Sequence, residues 1–341
     1  MSKKVDISIY HALPNHSLLG DNCFFSLDSK NAVLSSGRDA LLFIAKKYKE
    51  KKTIHIPLYF CNGVNIFLKK FFDVKYYIDN PTSSLPEFDT IKANPNDIVL
   101  IVNYFGLKDR TGWQSYIRCQ KKLIFVEDHS HNPFSEWAMN STANFVFASL
   151  RKYLPIPDGA YLFCENSLIP KVFTKASVAG ESFAAKITQA MLLKQLGTCD
   201  RSVYQKLFLS GEEELFHKKS ISQISSTSFE ILKVLDIEKI KKLRKNFMIK
   251  MEEFFHAKNI CEFISPKNKN DSFLPLLKFN SLKERESFRQ KLIAKNIYPQ
   301  CFWNFEDDYC KGKFISQKLL ALPIDLNLKD SASFVTNLLS L

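Results

Sequence analysis

The feature that most constrains this chain is an alternation running through its first two thirds, where short β-rich runs are separated by stretches of helical periodicity. Strands are expected at Thr53 to Ile56, Val74 to Ile78, Ile98 to Val102, Leu123 to Val126, Phe145 to Ala148 and Ala160 to Phe163. Between them, Ala40 to Tyr48 places Leu41, Ile44, Ala45 and Tyr48 at helical spacing. Strands and helices in alternation make a mainly parallel sheet covered by helices, an α/β fold.

After Gly180 the strand signals stop, and the stretch to about residue 258 reads as several helices, including a long charged one through Ile237 to Phe255. The remainder alternates again, with Phe273 to Phe279 as a strand, Leu282 to Ala294 as an amphipathic helix and Ser333 to Leu339 as a terminal helix. This predicts a large domain over residues 1–222 and a small α+β domain over 223–341. No internal repeat or Gly/Ser linker separates them.

With 341 residues, 45% of them hydrophobic, the chain is long enough for two buried cores. No apolar run approaches the roughly 20 residues of a membrane helix, and the basic start at Met1 is not followed by a signal-peptide core. A soluble, cytoplasmic protein is expected. The eight cysteines form no CxxC pair, so reduced thiols that mostly fill core positions are expected, and neither a disulfide framework nor a metal site. The formal charge of +13 would suit nucleic acid. Its distribution argues otherwise, because basic residues alternate with apolar ones, as in Ile240-Lys241-Lys242-Leu243-Arg244-Lys245, the pattern of a solvated helix face. A basic surface would still attract a small anionic substrate such as a nucleotide sugar.

Two segments carry chemistry. Glu127-Asp128-His129-Ser130-His131 directly follows the apolar run Leu123 to Val126, and ligands of open α/β sheets bind at the carboxyl ends of strands. Alone, an acid there also serves as a loop or helix cap. Farther on, Phe147-Ala148-Ser149-Leu150-Arg151-Lys152 leads through Pro157-Asp158-Gly159 into the next strand, and a lysine in such a turn can point back over the sheet or simply hydrate the surface. His129 and His131 would suit zinc only with a third ligand, and none is spaced to join them.

Together these segments resemble the active-site motifs of the DegT/DnrJ/StrS sugar aminotransferases, of pyridoxal 5'-phosphate (PLP) fold type I. In that family an acid-Asp-Ala-Ala-His/Gln run precedes a serine-containing loop with the cofactor-binding lysine and an acid-Gly-Gly turn. Ser36-Gly37-Arg38-Asp39-Ala40-Leu41 resembles the family's Ser-Gly-Thr-x-Ala-Leu at a phosphate-binding helix start. His55-Ile56-Pro57-Leu58-Tyr59-Phe60-Cys61 resembles the segment that supplies an aromatic against the cofactor ring. Ile297-Tyr298-Pro299 and Leu320-Ala321-Leu322-Pro323-Ile324-Asp325 resemble motifs of the family's small domain.

The resemblance implies that Lys152 forms the imine with PLP and then acts as the base, and that Asp128 holds the pyridine nitrogen. It places His131 beside the phenolic oxygen, Ser36, Gly37, Arg38 and Ser149 around the phosphate, and Tyr59 or Phe60 against the ring. It further implies an amino-acid donor, a nucleotide-sugar acceptor and a homodimer with the site at its interface. Trp303 is a candidate lid or an anchor for the small domain, and His129 narrows the pocket or is a hydrogen-bonded core histidine. Departures from the family pattern are Arg38 for Thr, Ala160 for the second turn glycine, and a short interval from Asp128 to Lys152. Other PLP reactions, or a non-catalytic binding protein on the same fold, stay open on sequence alone.

Overall fold

The structure is a computed structural model and describes residues 6–20, 30–48, 52–165, 169, 181–217, 220–303, 314–328 and 330–340. In chain order the strands are β1 (Ile7–Ser8), β2 (Asn31–Leu34), β3 (Thr53–Pro57), β4 (Asp73–Tyr77), β5 (Ile98–Val102), β6 (Ile124–Asp128), β7 (Phe145–Ser149), β8 (Ala160–Cys164), β9 (Glu262–Ile264), β10 (Leu276–Lys278), β11 (Ile297–Tyr298) and β12 (Leu319–Ala321). The helices are α1 (Gly37–Lys47), α2 (Asn62–Lys69), α3 (Arg110–Cys119), α4 (Glu136–Met139), α5 (Glu181–Leu196), α6 (Arg201–His217), α7 (Ser226–Val234), α8 (Ile237–Lys258), α9 (Leu282–Ile293) and α10 (Ser331–Ser340).

Seven strands form one sheet in the order β2-β8-β7-β6-β5-β3-β4. From β4 to β7 all neighbours are parallel, while β8 runs antiparallel to both β7 and β2. The central strands β5 and β7 are buried at every position, as strands covered by helices on both faces must be. The order reverses between β3 and β5, because the chain goes outward to β4 before returning. The crevice beyond the carboxyl ends of these strands is the place where this architecture binds ligands. All six strands expected from the sequence form. The additional β2 has four buried residues and no polar alternation to announce it.

The second sheet, β12-β10-β9, is antiparallel, and the expected strand Phe273 to Phe279 shortens to β10. The N-terminal β1 leaves the first half of the chain to pair parallel with β11, Ile7 opposite Ile297. Asp6 fixes this crossing through Arg201 at 3.0 Å, and Lys194 donates to Ser8 Oγ at 3.0 Å and to the Tyr10 carbonyl at 2.5 Å. No helix among the described residues is long and apolar enough to cross a membrane.

Two sequence readings need correction. Of the six described cysteines only Cys164 is buried; Cys119 is exposed and Cys61, Cys199, Cys261 and Cys301 are half-buried, all as free thiols. Core filling fails for Cys61 and Cys119, which stand at helix ends, whereas Cys199, Cys261 and Cys301 pack partly buried against the cores. Cys23 and Cys310 lie outside the described residues. The solvated-face reading of Ile240 to Lys245 fails at Arg244, which is 1% exposed. Its guanidinium lies over the Tyr153 ring at 4.2 Å and donates to the carbonyls of Phe273 at 2.9 Å and Tyr153 at 2.6 Å.

Candidate active site

Asp128, His131, Ser149 and Lys152 stand at or just after the carboxyl ends of β6 and β7. Asp128 ends β6 and is buried; its Oδ1 accepts from the Ser130 amide at 2.9 Å. Its Oδ2 has no hydrogen-bond partner among the described residues. His129 points to the other side of the strand, where its ring nitrogens face Glu127 at 2.9 Å and Asn103 at 3.4 Å and its ring meets Trp137 edge-on. It is therefore the hydrogen-bonded core histidine of the two readings, and its partners turn it away from His131.

His131 accepts from the Phe105 amide through Nδ1 at 3.3 Å and lies parallel to Phe273, with ring centroids 4.7 Å apart and planes 12° apart. Burial, with the Lys152 charge as the lesser cause, holds its pKa well below the ordinary histidine value. That the lysine's charge weighs on the imidazole places the two side chains in one electrostatic neighbourhood.

Lys152 ends the single 3-10 turn Leu150–Lys152 that follows β7. The turn is held by backbone bonds, Leu150 N–H to the Gly159 carbonyl at 2.9 Å and Gly159 N–H to the Ser35 carbonyl at 2.8 Å. Gly159 has φ +130, a value that disfavours a side chain. Its neighbour Asp158 is fully buried and accepts from the Ser225 amide and hydroxyl, which caps α7. Thus the Asp-Gly turn stitches the lysine loop to α1 and α7.

The first turn of α1 abuts the same loop. Ser36 caps it, accepting from the Asp39 amide and donating to the Asp39 carboxylate at 2.5 Å. A Cβ on Gly37 would lie 3.4 Å from the Phe147 ring and 3.7 Å from the Ser149 Cβ, so helix start and strand end are in contact. Arg38 reaches from α1 toward α2, its Nη2 3.2 Å from where a Cβ on Gly63 would stand. Burial lowers its pKa, opposed mainly by Glu212. Arg38 Nε is buried without a hydrogen-bond partner among the described residues.

Tyr59 and Phe60 follow β3, both buried. The Tyr59 hydroxyl donates to the Phe302 carbonyl, and its own carbonyl accepts from the Tyr104 hydroxyl. Trp303, half-buried, covers this pair from the small sheet's side, 5.4 Å from the Tyr59 ring, 6.3 Å from Phe60 and 6.2 Å from His131. It joins three predicted site residues to the end of the segment after β11.

Beside Lys152 opens a cavity of about 220 Å³. Its polar lining includes Tyr10, His11, Arg151, Lys152, Glu212 and Arg244, with Phe273 and Phe302 among its apolar walls. His11 donates from Nε2 to the Lys152 carbonyl at 3.3 Å; because that carbonyl can only accept, the hydrogen sits on Nε2. Burial and the Arg244 charge push its pKa down to about 3, so the ring is neutral. Sequence reasoning missed His11, Glu212 and Arg244. Only Arg244 left a signal, standing in the apolar stripe Ile237, Ile240, Phe247, Met251 of α8.

The donor set fits PLP. Among the described residues, an Asp128 carboxylate oxygen and an Arg38 guanidinium nitrogen without hydrogen-bond partners, and a glycine-tight helix start beside Ser149, are what a pyridinium and a phosphate require.

Solved structures of the same fold include the aminotransferase TlmJ from Streptoalloteichus hindustanus, 12% identical with a TM-score of 0.60 over 91% of this chain and 85% of that chain. A DegT DnrJ EryC1 StrS aminotransferase from Brucella abortus is 11% identical with a TM-score of 0.56 over 91% and 85%. The E. coli GDP-4-keto-6-deoxy-D-mannose-3-dehydratase with bound hydrated PLP is 11% identical with a TM-score of 0.60 over 91% and 87%. No family model matches the chain, and no curated protein does. The architecture is that of the PLP fold type I aminotransferases, as the motif resemblance implies.

Proposed function

We propose that this protein is a PLP-dependent enzyme acting on sugars, and within that class an aminotransferase that moves an amino group from glutamate to a keto-sugar nucleotide for surface polysaccharide. The observation that carries the reading is the gathering of Asp128, His131, Lys152, Ser149 and the first turn of α1 at one edge of the parallel sheet. A cytoplasmic homodimer whose interface completes the site belongs to the same proposal.

PLP, when bound, supplies an electron sink for the bond broken at the substrate's amine-bearing carbon. Asp128 Oδ2 holds the proton on the ring nitrogen. Lys152 Nζ moves the proton at the substrate carbon. His131, kept neutral by burial, hydrogen-bonds the phenolic oxygen without adding charge. The amides of Gly37 and Arg38, the Arg38 guanidinium and the Ser149 hydroxyl hold the phosphate.

Purified protein given PLP should turn yellow, and borohydride should then fix the cofactor to the peptide bearing Lys152. Lys152→Ala should lose the fixed adduct while remaining folded by circular dichroism. Protein that ignores PLP would overturn the reading. A dehydratase is the second reading, since a dehydratase is among the solved structures that share this fold. The sugar product decides between them: given glutamate and a keto-sugar nucleotide, an aminotransferase should leave the nitrogen on the sugar with one equivalent of oxoglutarate released, and a dehydratase should remove a hydroxyl and leave no nitrogen on the sugar.

A further inference from the structure

The Arg151–Glu212 pair next to Lys152 stands apart from the other ion pairs around the site. Arg151 Nη1 lies 2.6 Å from Glu212 Oε1, with the two side chains 20% and 34% exposed. Ion pairs that keep such contact with solvent contribute about 0–1 kcal/mol and exchange partners readily. The pair is nevertheless not on the outer surface: both residues line the cavity that contains Lys152. Arg151 Nε is buried and has no hydrogen-bond partner among the described residues, even with Glu212 in place. Glu212 Oε2 likewise has no partner among the described residues.

An α-amino acid carries its carboxylate one carbon away from its amine. An enzyme whose lysine handles that amine must therefore keep a carboxylate-binding cation within a few ångströms of the lysine. Three arginines surround the cavity or its edge. Arg244 is committed, because Nη1 and Nη2 donate to backbone carbonyls and the guanidinium packs against the rings of Tyr153 and Phe273. Arg38 faces the start of α2 and does not line the cavity. Arg151 remains, held beside Lys152 by the same 3-10 turn.

We propose that Arg151 is the carboxylate-binding residue for the amino-acid donor, and that Glu212 occupies it in the empty site as an internal stand-in that the donor's carboxylate displaces. The inference rests on the aminotransferase reading. The geometry suits the exchange, since an arginine fork takes a carboxylate through two parallel N–H donors and Glu212 uses one of its nitrogens. In the empty site Arg151 first, then Arg38 and Lys152, hold the Glu212 pKa below the ordinary value against burial.

The test is calorimetric titration with succinate, a dicarboxylate without an amine that cannot react, on cofactor-treated protein and on untreated protein. Succinate should bind the wild type, Arg151→Gln should weaken it at least tenfold, and Glu212→Gln should tighten it severalfold by removing the competitor. A purely structural pair would weaken binding in both variants or in neither. Either of those results, or no binding of succinate to the wild type, overturns the proposal. Failure of the parent reading looks different: no PLP uptake by the wild type while the untreated protein still binds succinate through Arg151.

Discussion

Arg244 shows how a single residue can be misread from sequence and how its burial is made tolerable. A buried charge without a counter-ion is costly, and burial lowers the Arg244 pKa to about 10. Two carbonyl acceptors and two aromatic faces replace a carboxylate partner. Replacing it by Met would leave the Phe273 and Tyr153 carbonyls unpaired, at about 1–3 kcal/mol each. Arg244→Met should therefore lower unfolding free energy by roughly 2–6 kcal/mol in urea titrations. Arg244→Lys should rescue less than half of this, because an ammonium cannot span both carbonyls with a planar fork; full rescue by lysine would show that charge, not the fork, matters. By contrast Asp128, His131 and Lys152 were legible, because their spacing follows strand ends. His11 and Glu212 were not, because they reach the cavity by chain crossings that no local pattern records.

At the scale of elements, the loops after β4 and β5 are held together by a pair unlike Arg151–Glu212. Lys108 and Asp79 form an ion pair with both side chains 0% exposed, and Lys108 also donates to the carbonyls of Asn80 at 3.1 Å and Ser83 at 2.8 Å. Breaking a buried pair by removing one partner costs about 3–5 kcal/mol, because the other charge stays buried alone. Lys108→Met should cost that much. Asp79→Leu with Lys108→Met should recover part of the loss and not all, since the two carbonyls stay unpaired, and a double-mutant cycle in urea measures the recovered share. Complete recovery would mean that the carbonyl contacts contribute nothing. The strands bracketing these loops were readable because Ile98 to Val102 and Leu123 to Val126 are apolar runs bounded by polar turns. Strand β2 was not, since four buried residues at the antiparallel end of the sheet carry no period of their own.

For the whole molecule, the two halves meet around buried histidines, and this sets how stability responds to acid. His11 is pushed down to about 3 and His131 well below the ordinary value of 6.5, so both are neutral in the fold and take up protons on unfolding. For such depressed groups the stabilisation is fully present above pH 6.5 and is lost as pH falls from there toward the folded values. Each contributes a slope of roughly 1.4 kcal/mol per pH unit in that window. Asp79 acts in the opposite sense: burial raises it to about 6, so its stabilisation is present at low pH and is lost as pH rises through 6. The net curve therefore mixes signs, and variants separate them. His11→Gln keeps a donor for the Lys152 carbonyl and removes one titrating proton. Between pH 6 and 4 its unfolding free energy should fall less steeply than that of the wild type by roughly 1.4 kcal/mol per pH unit. Parallel curves would mean that His11 takes up no proton on unfolding, and that the segment carrying it, pinned through β1 and Asp6, leaves the imidazole open to solvent.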